Sequence, residues 1–176
     1  RIDSQNRNIG EFAPFLNLMA EWSLRDTSRK IKAAAKAKGM SGRHTTNHAI
    51  YGYRLDPEDK DKWLVDPEAA QVVRMIFRLT IEGNGPFQVA GILTGKQIKR
   101  PSCYLAEQGR GSRQSIGSES PYLWNATSVS NILKKPEYKG HTVNFRTIKE
   151  SYKDKASKKR PQEEWVVFEN TQGSYS

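Results

Sequence analysis

"FAPFLNLMAEWSLRDTSRKIKAAAKAKG", Phe12 to Gly39, decides the fold. Gly10 reads as a breaker before it, and no glycine interrupts residues 12–38. The single proline, Pro14, suits a first helical turn, where its missing N–H is not needed. The stretch predicts one helix over 12–38, about 40 Å long at ~1.5 Å per residue. Its halves differ in chemistry. Phe12, Phe15, Leu16, Leu18, Met19 and Trp22 cover most of the first half, and a helix apolar on most sides wants burial. That half is expected to pack on the rest of the chain, on a second copy or on a further domain. In the second half Arg25, Arg29, Lys32 and Lys36 stand at i, i+4, i+7 and i+11, which puts them on one face. From Leu24 to Arg43 there are seven basic residues and one acid, Asp26.

Working outward, residues 39–50, "GMSGRHTTNHAI", read as a flexible basic linker. "YGYRLD" and "KWLVD" read as two short strands around the acidic turn "PEDKD". "PEAAQVVRMIFRLTIE", 67–82, predicts an amphipathic helix with Asp66 as N-cap candidate and Gly83 as its end. A shorter helix is expected from Pro86, then a long irregular stretch through 99–123. "WNATSVSNILKK" gives another helix over about 125–135, with Asn125 as N-cap candidate and Pro136 as its stop. "GHTVNFRTIK" and "EEWVVFEN" alternate like strands around a basic, flexible loop. The expected fold class is mainly α with small β-hairpins. A long N-terminal helix leads into a compact helical domain.

The 176 residues carry a formal net charge of +10 and only 36% hydrophobic residues. That combination implies a modest core and an anionic partner, most commonly nucleic acid. Cys103 is the single cysteine, so no internal disulfide and no cysteine-rich zinc site is expected, in keeping with a reducing cytoplasm. No apolar run approaches the ~20 residues that span a bilayer, and no membrane partner is expected. His44 and His48 lack companion ligands, so no metal and no cofactor is expected. No Ser/His/Asp arrangement, phosphate-cradling glycine loop or paired carboxylates stand out, and the chain does not read as a self-sufficient enzyme. It opens without methionine and is expected to be a fragment.

Three features point to DNA. The basic row of the long helix has almost no acids at i±4, so it reads as a phosphate contact rather than a salt-bridged surface. An extended Gly-Met-Ser-Gly-Arg is thin enough for a minor groove, with Arg43 and His44 as the candidates; an ordinary linker has the same composition. "GPFQVAGIL" and "NATSVSNILKK" suit a helix-turn-helix reader, although a bundle with a polar face fits them too. Thr127, Ser128, Asn131 and Lys135 would face outward to base edges, with Lys134 and Lys135 on phosphate. Lys38, Arg110, Arg113 and the span 149–160 are further phosphate candidates.

The long helix, then "YGY", "WLVDPEAAQVVRMIF", "WNATSVSNILKKPEYKG" and "EEWVVFEN", occur in an order that resembles the large serine recombinases. The TnpX-type enzymes of mobilisable and conjugative transposons are the most similar. The resemblance covers nearly the whole chain. It implies the end of a catalytic domain with its long linking and dimerisation helix over 1–38, and a minor-groove linker over 39–50. It further implies a recombinase DNA-binding domain over 51–148, and at 149–176 a basic loop and strand leading towards a zinc ribbon. It implies double-stranded half-sites and further copies of the protein, as dimer or tetramer, as partners in a bacterial cytoplasm. Glu21 matches a position near the family's active site. The catalytic serine would precede residue 1, so no residue of this chain is expected to be catalytic and the fragment is expected to be inactive in cleavage.

Overall fold

The structure is a computed structural model that describes residues 4–110, 119–149, 151 and 153–169, without the side chains of 4–11. It is mainly α-helical with small antiparallel strand pairs, the class expected. Two compact units divide the chain: residues 1–45 with 143–167, and residues 46–142 with 168–176.

In the first unit α1 runs Ser4–Met40, about 55 Å at ~1.5 Å per residue. It is longer at both ends than the sequence suggests. Gly10 does not break it, because one glycine inside a long helix costs only about 1 kcal/mol relative to alanine. Gly39 belongs to its last turn and is buried. A Cβ at Gly39 would overlap the ring of Phe145 and lie 2.9 Å from the Thr45 methyl, so only glycine permits this approach. The residues after α1 are held rather than loose. The Asn144 side chain donates from Nδ2 to the carbonyls of Gly39, at 3.1 Å, and Arg43, at 2.8 Å. Its Oδ1 accepts from the Thr45 amide at 3.2 Å and hydroxyl at 3.0 Å. All four hydrogen-bonding sites of one buried amide are thus used on a single turn. Asn144 ends β3 (Thr142–Asn144), which pairs with β6 (Val166–Phe168). The loop expected between these strands carries its own ladder. β4 (Thr147–Ile148) is antiparallel to β5 (Lys158–Lys159), with Thr147 opposite Lys159, and Arg146 lies over the Trp165 ring at 4.7 Å.

The second unit holds the core. β1 (Tyr53–Leu55) and β2 (Trp63–Val65) form the expected hairpin, with Tyr53 opposite Val65 and Leu55 opposite Trp63. Its period of two turns Tyr53 and Trp63 inward and leaves Arg54 on the opposite, exposed face. α2 runs Pro67–Ile81, and Gly83 at φ +95° ends it, a conformation that favours glycine. α3 (Pro86–Gly95) and α5 (Ala126–Leu133) pack on each other. Asn125 caps α5, its side chain accepting from the Ser128 amide at 2.7 Å.

The stretch 99–123, expected to be irregular, contains α4 (Pro101–Glu107). Pro101 sits in its first turn, and Cys103, Tyr104 and Ala106 are buried. These short-range apolar positions are too few to show a helical period in the sequence, and packing decides the element. Ile76, Val89, Leu93 and Val129 are completely buried, worth about 1.5–3 kcal/mol per large side chain. Tyrosines close the core with polar ends satisfied. Tyr138 donates to the Tyr51 carbonyl at 2.7 Å, and Trp124 Nε1 to the Ile98 carbonyl at 2.8 Å.

Candidate nucleic-acid interface

Along α1, Arg25, Arg29, Lys32 and Lys36 are exposed and Lys38 is half-buried. From Arg25 to Lys36 the row covers roughly 16 Å of helix axis, about the axial span of five phosphates on one DNA strand. The row is less free of acids than its sequence suggested. Arg25 pairs with Glu21 at 2.9 Å, and Lys153 reaches the same carboxylate oxygen at 3.0 Å. Lys30 pairs with Asp26 at 2.8 Å, a hydrogen bond that holds its ammonium above the ordinary lysine range. Such exposed pairs contribute little to stability and can open towards a stronger anion. Glu21 therefore serves here as a counter-charge to two cations.

The apolar half of α1 is exposed as well. Phe12, Phe15, Leu16, Leu18 and Trp22 are each more than half accessible, so the described part of the chain does not supply the burial expected for them. Beyond α1, Arg43 is exposed, while its carbonyl belongs to the Asn144 clamp. His44 is 4% exposed. It was a candidate for DNA, and in this conformation its side chain is buried. Lys149, Lys158 and Lys159 are exposed, and Arg160 is half-buried with Glu164 3.9 Å away.

In the second unit α5 presents a polar row. Thr127, Asn131 and Lys134 are exposed at i, i+4 and i+7, one face of the helix. Val129 and Ile132 are buried. Ser128 and Lys135 are half-buried, so they stand at the edge of that face. The hydroxyl, amide and ammonium of the row can bond base edges and phosphate. The pairing of α3 with α5 keeps the two helices of the expected reader together despite the thirty residues between them.

Arg110, a phosphate candidate, is bonded within the second unit. Its guanidinium donates to Asp66 Oδ2 at 2.6 Å, to the Tyr53 carbonyl at 2.8 Å and to Gln108. Tyr104 donates to the other Asp66 oxygen at 2.9 Å. Asp66 is only 6% exposed, and a carboxylate that deep requires a cation. It occupies the N-cap position of α2 but makes no side-chain cap bond; Arg110 and Tyr104 take its oxygens instead. Arg113 lies outside the described residues. Neither Asn144 nor the Arg110–Asp66 pair was a sequence candidate. An asparagine in an alternating apolar strand is the one signal that could have drawn attention to the former.

The Recombinase family model matches residues 67–174. The chain belongs to this family, and its work lies in DNA recombination. Neither a curated protein nor a solved structure matches it. No described helix is long and apolar enough to cross a membrane.

Proposed function

We propose that the chain is the DNA-binding portion of a serine site-specific recombinase of the TnpX type. It binds the att or transposon-end half-sites of a mobile element so that the element can be excised and integrated. The observation that carries this reading is the exposed cationic row of α1 in a chain of the Recombinase family. α1 holds backbone phosphate, Arg43 enters a minor groove, and the Thr127–Asn131–Lys134 row of α5 reads a major groove. Strand cleavage belongs to a catalytic domain outside these residues, so the chain leaves a supercoiled plasmid uncut. It works in the bacterial cytoplasm.

The test is a salt titration of binding to the recombination-site duplex and to a shuffled duplex of equal length. Four phosphate contacts give a slope near −0.9 per contact, so affinity falls about 10²-fold between 50 and 200 mM salt on both duplexes. The true site binds more tightly at every salt concentration, and Arg43→Ala reduces that preference. A steep fall without preference leaves a basic clamp and removes the α5 reader.

The exposed Phe12, Phe15 and Trp22 favour a second reading, a self-association module with incidental charge. A mass that rises with concentration in light scattering, with no shift of either duplex at low salt, selects it. In the first reading the same apolar row serves a dimer or tetramer that also binds DNA.

A further inference from the structure

An apolar groove of about 650 Å³ lies along α2 in the second unit. Val73, Phe77 and Ile81 of α2 form one wall, with Leu133 and Tyr138 opposite. The α2 residues are spaced i, i+4 and i+8, so they make a straight rail of roughly 12 Å. Phe77 meets Tyr138 edge-on with ring centroids 5.9 Å apart, which fixes the floor. At the open end Ile81 is 86% exposed, an uncommon position for so apolar a side chain on a helix whose other apolar residues turn inward. The rim is cationic. Arg74, Arg78, Lys135 and Lys139 border the groove, against the single carboxylate of Glu82.

We propose that this groove docks a short amphipathic helix of a protein partner. Its apolar row would lie along Val73, Phe77 and Ile81, and its acidic flanks would meet Arg78 and Lys139. A rail at helical spacing fits apolar anchors at i, i+4 and i+8 on an opposing helix, the mode by which grooves take amphipathic helices. Charge complementarity makes the partner acidic. A nucleic acid backbone suits the rim but not the floor, because phosphate and sugar have no large apolar side groups to fill it. The groove thus separates two kinds of basic surface in one chain: an exposed cationic row on α1, and cations around an apolar floor on α2.

The probe is a synthetic helix of about fifteen residues, with leucines at i, i+4 and i+8 and glutamates beside them. A shuffled peptide of the same composition is the control. Binding to the 176-residue chain is followed by fluorescence anisotropy and by backbone amide shifts. The ordered peptide binds roughly tenfold more tightly than the shuffled one, with shifts centred on Phe77, Ile81 and Leu133. Ile81→Glu changes an exposed side chain, so the fold persists. It weakens the peptide roughly tenfold, as does Arg78→Glu with Lys139→Glu, and Ile81→Glu leaves duplex binding unchanged. Equal binding of the two peptides, or indifference to Ile81→Glu, overturns the proposal. So does displacement of the peptide by duplex DNA together with weaker duplex binding by Ile81→Glu, which would give the groove to nucleic acid.

Discussion

α1 and the unit formed by residues 46–142 solve opposite problems. In α1 the large apolar side chains are outside: Trp22 is 64% exposed and Ile31 63%. In the other unit Ile76, Val89 and Leu93 are wholly inside, beneath tyrosines whose hydroxyls are bonded. The helix is specified locally, by a run of good helix formers without a central breaker, and by little else over most of its length. Isolated helices gain little stability in water, and tertiary packing normally supplies the rest. The compact unit is specified by packing that joins residues far apart in the chain. Substitutions in the compact unit should therefore be read in stability. Substitutions along α1 should be read in binding.

The largest expected effect lies in the compact unit. Leu93→Ala leaves a cavity at the α3–α5 contact and costs about 3–4 kcal/mol. Urea unfolding followed by tryptophan fluorescence should show the transition of Trp63 and Trp124 moving to much lower denaturant. The helical signal of α1 should keep its own curve, unshifted by the substitution. If both signals are lost together, the two regions share one cooperative transition and are not specified separately.

Asn144→Ala tests the one place where the first unit is built like the second. It removes four hydrogen bonds at once and leaves the carbonyls of Gly39 and Arg43 without this donor. The expected cost is about 2 kcal/mol, with local loosening dominant. Amide hydrogen exchange should speed up at residues 40–45 and hardly change in α2. Exchange unchanged at 40–45 would mean that the turn holds itself.

That joint also shows where the sequence stopped being legible. α1, the β1–β2 hairpin, α2, α3 and α5 follow from period, proline and glycine positions and one Asn cap, all local signals. The basic row could be read because helical spacing maps directly onto a face; on α5 the same spacing finds Thr127 and Asn131 exposed, whereas Ser128 and Lys135 are half-buried. The clamp by Asn144 joins residues about a hundred positions apart, and Arg110 finds Asp66 across forty-four. No spacing rule encodes either. For the same reason the bonds around Arg110 could not be foreseen: composition shows that a residue is polar, not which distant partner it finds.

The tyrosines make the compact unit sensitive to pH. Burial first, then the hydrogen bond to Asp66, pushes the Tyr104 phenol up to about 12. Burial also raises Tyr51 and Tyr138. The folded unit favours the neutral phenols, whereas the unfolded chain releases its protons near pH 10. Their stabilising effect is therefore complete below pH 10 and lost as pH rises from there towards 12. Urea midpoints of the compact unit should be flat across the tyrosine range up to pH 9 and fall steadily beyond it. α1 contains no tyrosine, so its helicity should not follow that curve. Replacing Tyr104 by Phe should flatten part of the fall, and an unaltered curve would remove Tyr104 from the account.

The smallest effect on stability belongs to the row on α1, and it is the most informative about function. Arg29→Ala and Lys36→Ala replace exposed cations by the best helix former and separate like charges, so each should shift stability by less than about 0.5 kcal/mol. In DNA binding each should lower the magnitude of the log K against log salt slope by about 0.9. It should do so equally on the recombination site and on shuffled duplex, because phosphate contacts carry no sequence. Asn131→Ala on α5 should do the reverse, leaving the slope alone while narrowing the gap between the two duplexes. Only a chain that uses α1 to hold and α5 to read gives both results. An unchanged slope in the α1 variants would show that the row is merely solvated, and α1 would then be a helix exposed for its apolar half alone.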